Sequence, residues 1–263
     1  MRFGYRTQWV GFENHPRTGF ASLNGSLGKV KRNGVYHGIG VMFEADNTDP
    51  FSKTNFNLAY AFHFKMNRKM RGSLGLFAGF TQHRVDLSTA LVEDPFDPIL
   101  EPGSRSNILI PEISPGFWMN NSRFYLGLSV KHITGNRIDD VGEARLRPHT
   151  YLTTGYAIPM SKTTNFIPSL LLKYVGASPL ALDLNAMIDF DQRLAIGLGY
   201  RNSDAVVALM KFNFLNYFTI GYAYDMTTSP IRYASSNSHE IILGIIACQT
   251  GSSGGHVPCA AYD

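Results

Sequence analysis

The chain has 263 residues, a net charge of +4, 17% charged residues and 13% aromatics. That composition offers ample apolar surface to bury, which excludes a disordered chain, and the lack of a Lys/Arg block or Cys/His zinc spacing argues against a nucleic-acid partner. No run of about 18 apolar residues occurs, so no transmembrane helix is expected, but a membrane barrel stays open because half of each of its strands faces a polar lumen.

Met1-Arg2 leads straight into strand-like sequence with no secretory signal, so for an exported protein the chain is expected to be truncated or processed at its N-terminus. Period-2 alternation and turn residues predict roughly fourteen strands: 2–12, 18–29, 35–45, 53–65, 71–84, 107–119, 123–135, 148–159, 163–175, 180–190, 192–202, 204–214, 216–227 and 238–248. The clearest is Asn55–Phe64. There Phe56, Leu58, Tyr60, Phe62 and Phe64 alternate with Asn55, Asn57, Ala59, Ala61 and His63. Phe124–Lys131, Leu194–Arg201 and Tyr217–Asp225 repeat the pattern. Nothing sustains a 3.6-residue period, and no Pro/Gly/Ser linker interrupts the middle. The expected organisation is one barrel, 1–248, followed by a Gly/Ser-rich tail, 249–263.

The connections alternate between short and long. The short set is Val30–Gly34, Met66–Lys69, Asn120–Ser122, Met160–Lys162, Asp191 and Leu215. The other set is Gly11–Pro16, Asp46–Pro50, Val85–Ser106, Gly135–Arg147, Gly176–Pro179, Asn202–Ser203 and Met226–Asn237. In an up-and-down meander these sets emerge at opposite ends, the asymmetry of outer-membrane barrels. Charge sorts the same way: Lys29, Lys31, Arg32, Lys65, Arg68, Lys69, Arg71 and Lys162 go to the tight-turn end. Asp46, Asp49, Asp86, Glu93, Asp94, Asp97, Glu101, Asp139, Asp140 and Glu143 go to the other.

The fold these features predict is all-β, an antiparallel up-and-down transmembrane β-barrel. A sheet of such long strands must close to hide its edges, and in lipid closure is obligatory. The small and neutral residues opposite each apolar row suit a lumen better than a solvent face, which would carry more charge. Aromatics near strand ends, among them Trp9, Phe12, Phe51 and Trp118, are expected to form interfacial girdles. A soluble β-structure is the competing reading.

Little here points to chemistry. Gly251-Ser252-Ser253-Gly254-Gly255 satisfies the G-x-S-x-G pattern, but lies in a polar tail with no helix to form a nucleophile elbow. The eight histidines are scattered, and His37 and His63 read as hydrogen-bonding residues of strands. Asp46 with Asp49 and Asp94 with Asp97 lack EF-hand spacing and read as turn residues. No enzyme activity, metal or cofactor is expected. Cys248 and Cys259 read equally as a disulfide of an oxidising compartment or as two thiols. The longest connection, with Asp94, Phe96, Asp97 and Glu101, is the best contact surface, joined by Arg137, Asp139 and Asp140 in the second long loop.

Tyr5-Arg6-Thr7-Gln8-Trp9-Val10-Gly11-Phe12 followed by Pro16-Arg17-Thr18 resembles the PorP/SprF family of the type IX secretion and gliding machinery. The likeness continues at Asp49-Pro50-Phe51-Ser52-Lys53-Thr54, Asn57–Ala61, Tyr125–His132, Gly221–Asp225 and Ser238–Ile241. The resemblance implies a non-enzymatic protein of a Gram-negative outer membrane that supports secretion or surface anchoring of an adhesin by recognising its C-terminal domain. Its implied partners are that domain, other type IX components and outer-membrane lipid, with no nucleic acid. The alternative is a passive or hydrophobic-solute channel.

Overall fold

The computed structural model describes residues 1–11, 14–27, 34–87, 105–137, 145–215, 217–234 and 236–246. Their strands, in chain order, are β1 (Arg2–Thr7), β2 (Arg17–Leu27), β3 (Tyr36–Thr48), β4 (Phe51–Lys65), β5 (Arg71–Asp86), β6 (Arg105–Asn120), β7 (Phe124–Lys131), β8 (His149–Tyr156), β9 (Ile158–Pro159), β10 (Thr164–Val175), β11 (Ala181–Phe190), β12 (Leu194–Arg201), β13 (Ala205–Phe214), β14 (Phe218–Thr227) and β15 (Ser238–Ile245). Each pairs antiparallel with its neighbours, and β15 returns to β1, so one sheet closes into a barrel. β8 and β9 share the partner β10 in one continuous register and form a single stave. The interruption lies opposite Ile167-Pro168, where proline has no N–H to offer the ladder. Counted so, the barrel has fourteen staves, as the alternation predicted.

Burial is inverted relative to a water-soluble fold. Leu58, Leu109 and Leu198 are about 60% exposed, at 59%, 62% and 62%, whereas Asn55, Thr81, Glu112 and Asp225 are almost fully buried. Large apolar side chains point away from the barrel and polar ones point into it. Such a surface is stable only against hydrocarbon. No helix is long and apolar enough to cross a membrane among the described residues; this protein crosses with strands.

Several boundaries differ from expectation, each where the backbone enters the left-handed region. The first strand ends at Thr7 instead of residue 12 because Trp9 (φ 54°) and Gly11 (φ 116°) turn the chain. Strand β7 stops at Lys131 because His132 adopts φ 55°. Asp191 (φ 53°) and Gln192 (φ 56°) turn the three-residue connection Asp191–Arg193, closed by the Arg193 N–H donating to Phe190 O at 3.0 Å. In the other direction, β5 and β6 reach 16 residues each, while β7 has 8. The β5–β6 ladder therefore runs well past β7 at the long-loop end, while β4 accompanies it up to Phe51 opposite Val85.

At the opposite end the turns are tied by their own side chains. Asn67 Oδ1 accepts from the N–H of Lys69 and Met70, Asn121 Oδ1 from Arg123 and Phe124, and Ser161 Oγ from Thr163 and Thr164.

Candidate functional site: the lumen and the two rims

Residues directly opposed across a ladder share a face, so register decides which side chains enter the lumen. Two polar networks result, both toward the long-loop end.

The first joins β1, β10, β11, β12, β14 and β15. Arg6 donates to Asp225 at 2.8 Å and to Glu240 at 3.2 Å. Arg201 donates to the same Asp225 oxygen at 2.6 Å and lies 4.0 Å from Asp183, which Lys173 approaches at 2.6 Å. Three cations meet three carboxylates, so the belt is neutral.

The second network centres on Glu112 of β6. Thr81 and Ser114 donate to its carboxylate at 2.8 and 2.9 Å, while the same Thr81 hydroxyl lies 2.6 Å from Asn55 Oδ1. Asn55 in turn donates to Glu44 at 2.7 Å. His132 stands 3.4 Å from Glu112 through Nδ1 and 3.5 Å from Lys53 Nζ through Nε2. The tautomer that satisfies both is neutral: Nδ1–H donates to the carboxylate and Nε2 accepts from the ammonium. Burial is the chief reason that the His132 pKa is lowered to about 4; Glu112 opposes the shift, and Lys53, His149 and Lys131 add to it.

This network fills one side of the lumen. The other side, bounded by β1–β3 and β10–β15, holds a cavity of about 1480 Å³ lined by Phe20, Met42, Leu171, Met187, Leu209 and Ile242 with Ser22, Asn24, Asn185 and Thr219. Among the described residues no group of three or more His, Cys, Asp or Glu is arranged to hold a metal. The lumen charges went unnoticed in the sequence because ions on paired strands have no fixed sequence spacing. Only their parity, on the small-residue face of each strand, marked them as inward.

The loop residues Asp94, Phe96, Asp97, Glu101, Asp139 and Asp140 lie outside the described residues, as do Phe12, Cys248, Cys259 and the GSSGG stretch. Arg137 is described: it bridges to Arg145, beside Asn136, whose side chain donates to Pro111 O at 2.6 Å. The base of the second long loop is thereby fastened to β6.

The expected aromatic girdle needs correction at Trp118. Trp118 opposes Ser73, Ser73 opposes His63, and His63 opposes Tyr36. His63 accepts from or donates to Ser73 at 2.6 Å and stacks on the buried Tyr36 at 4.2 Å, so the whole row faces the lumen. Trp118 stacks at 5.2 Å on Tyr125 and covers Gly127, whose missing Cβ leaves room for the indole. Its place in the sequence near a strand end suggested lipid; its even position in β6, shared with inward Glu112 and Ser114, puts it inside. Trp9 occupies the β1–β2 connection, with its N–H donating to Ser238 Oγ at 3.0 Å. Phe51, 59% exposed, opens β4 on the parity of inward-facing Lys53 and Asn55. Outward aromatics include Tyr60, whose hydroxyl meets His37 at 2.7 Å, and Tyr222, whose hydroxyl meets His239 at 2.8 Å.

Among curated proteins no sequence matches this chain. Two solved barrels share its architecture. BamA from Haemophilus ducreyi lacking POTRA domains 1–3 superposes with a TM-score of 0.52 at 8% identity, over 92% of this chain and 69% of that one. A TodX ΔS2S3 mutant, described as a monoaromatic hydrocarbon channel, superposes with a TM-score of 0.51 at 9% identity, over 92% and 86%. At such identities the likeness concerns fold alone. The sequence profile of the type IX secretion system membrane protein PorP/SprF matches residues 1–245, nearly the whole described barrel. A closed membrane barrel whose entire span carries that profile belongs to the PorP/SprF family of type IX secretion system membrane proteins.

Proposed function

We propose that this barrel sits in the outer membrane of a Gram-negative bacterium as a non-enzymatic part of the type IX machinery, and that it supports secretion or surface anchoring of an adhesin through that adhesin's C-terminal domain. The observation that carries this reading is the family match over residues 1–245 on a barrel with one end of tight turns and one of long loops. The 88–104 connection between β5 and β6, with Asp94, Phe96, Asp97 and Glu101, would meet the exported partner. Arg137, Asp139 and Asp140 would join from the neighbouring loop. The tight turns and the 249–263 tail face the periplasmic components. Deleting residues 88–104 and measuring surface retention of the adhesin tests this: retention falls on this reading, and unchanged retention removes the loop from it.

The apolar-lined cavity of about 1480 Å³ favours a second reading, a hydrophobic-solute channel. Planar-bilayer recordings separate the two, since a steady open conductance belongs to a pore.

A further inference from the structure

Three successive tight turns carry exposed cations, and two of them also expose a methionine. The β4–β5 turn carries Arg68 and Lys69 at its tip beside Met66, which is 49% exposed, while Lys65 and Arg71 at its base continue the inward parity of His63 and Ser73. The β6–β7 turn carries Arg123, and the turn entering β10 carries Lys162 beside Met160, 64% exposed. These turns belong to consecutive staves, so they stand side by side along one arc of the rim. Neighbouring turns of such a rim are roughly 10 Å apart, two strand spacings.

The arc is unbalanced in charge. The stretches 62–74, 115–126 and 154–165 contain no Asp or Glu. Among the described residues none of the six cations has a carboxylate within 4.0 Å, whereas the next turn around the rim pairs Arg193 with Asp191 at 3.6 Å. The outer wall just above the arc is apolar: Phe64 lies over Gly72, and Leu74, Tyr156 and Ile158 are exposed. A turn that stood free in water would gain nothing from exposed methionines beside its cations. A turn seated at the boundary of the hydrocarbon places the methionine among acyl chains and lets Lys and Arg reach the phosphates.

We infer that these three turns form a binding arc for anionic phospholipid headgroups of the leaflet on the tight-turn side. Arg68, Lys69, Arg123 and Lys162 hold the phosphate, whose charge no headgroup cation offsets, and the outward wall above them takes the acyl chains. Side-chain ties within each turn fix the backbone that carries these cations.

The test uses the full chain reconstituted in phosphatidylcholine vesicles containing spin-labelled phosphatidylglycerol or spin-labelled phosphatidylcholine, with electron spin resonance reporting the motionally restricted fraction of each. A several-fold preference for phosphatidylglycerol, weakened by salt, is expected. The variant R68Q/K69Q loses most of it, and the fourfold variant R68Q/K69Q/R123Q/K162Q loses all of it, while heat-modifiable migration shows each barrel intact. Equal association of the two lipids, or a preference that survives the fourfold replacement, overturns the inference. Should that variant not fold, R123Q/K162Q is compared at the same readout, where an unchanged preference likewise counts against the arc. A rim that instead serves an acidic protein shows equal association of the two lipids.

Discussion

Arg6 on β1 and Asp225 on β14, 219 residues apart in the chain, meet inside the barrel across the intervening β15, with Arg6 Nη2 donating to Asp225 Oδ2 at 2.8 Å. Arg201 reaches the same oxygen from β12 at 2.6 Å. One carboxylate thus ties four consecutive staves to the first strand of the chain. Removing its charge leaves two guanidinium groups facing an amide. D225N is expected to cost about 3 kcal/mol, by the usual penalty for breaking a buried ion pair. Urea unfolding in lipid vesicles measures this, and D225N/R201Q should cost less than the sum of the single changes.

Stability should fall with acid in a way that His132 specifies. Its ordinary pKa of 6.5 is lowered to about 4 in the folded protein. Between those values the unfolded chain binds a proton that the folded one does not, so stability is full above 6.5 and declines as pH drops toward 4. The loss attributable to His132 amounts to at most about 3 kcal/mol. Unfolding midpoints of wild type and H132N at pH 7, 5.5 and 4.5 isolate it: the wild type should lose more than the variant.

Gly79 sits where β4 and β5 approach closely. A Cβ there would overlap the carbonyl oxygen of Phe56 and lie 2.8 Å from Asn57 Cα, backbone that cannot rotate away. G79A should destabilise by about 1–3 kcal/mol, the range for overpacking. Gly25 has nothing within 4 Å of its Cβ position, and G25A serves as the near-neutral comparison in the same assay.

The inward placement of Trp118 has a spectroscopic consequence. The chain has two tryptophans, so in W9F Trp118 is the sole indole. Its fluorescence should be quenched by aqueous acrylamide entering the lumen and spared by brominated acyl chains. The opposite result would place it in a lipid-facing girdle.

Most of the wall was legible in the chain itself. The alternation of Phe56, Leu58, Tyr60, Phe62 and Phe64 with Asn55, Asn57, Ala59, Ala61 and His63 identified both the strand and its two faces. The side-chain period of a strand is two in any sheet, so this needed no partner. Strand ends were less legible: Trp9 and His132 break their strands through positive φ, which neither residue type announces. The Glu112 cluster was invisible because Glu44, Lys53, Asn55, Thr81, Ser114 and His132 are brought together by register between β3, β4, β5, β6 and the end of β7.

By itself the sequence determined the number of staves, the up-and-down order and the membrane setting. Each of these follows from local periodicity, turn chemistry and loop length. Tertiary structure alone decided which polar residues meet in the lumen, that Trp118 turns inward, and that three basic turns stand along one arc. Those relations depend on register and closure, through which residues more than two hundred positions apart become neighbours, and no local pattern encodes such a distance.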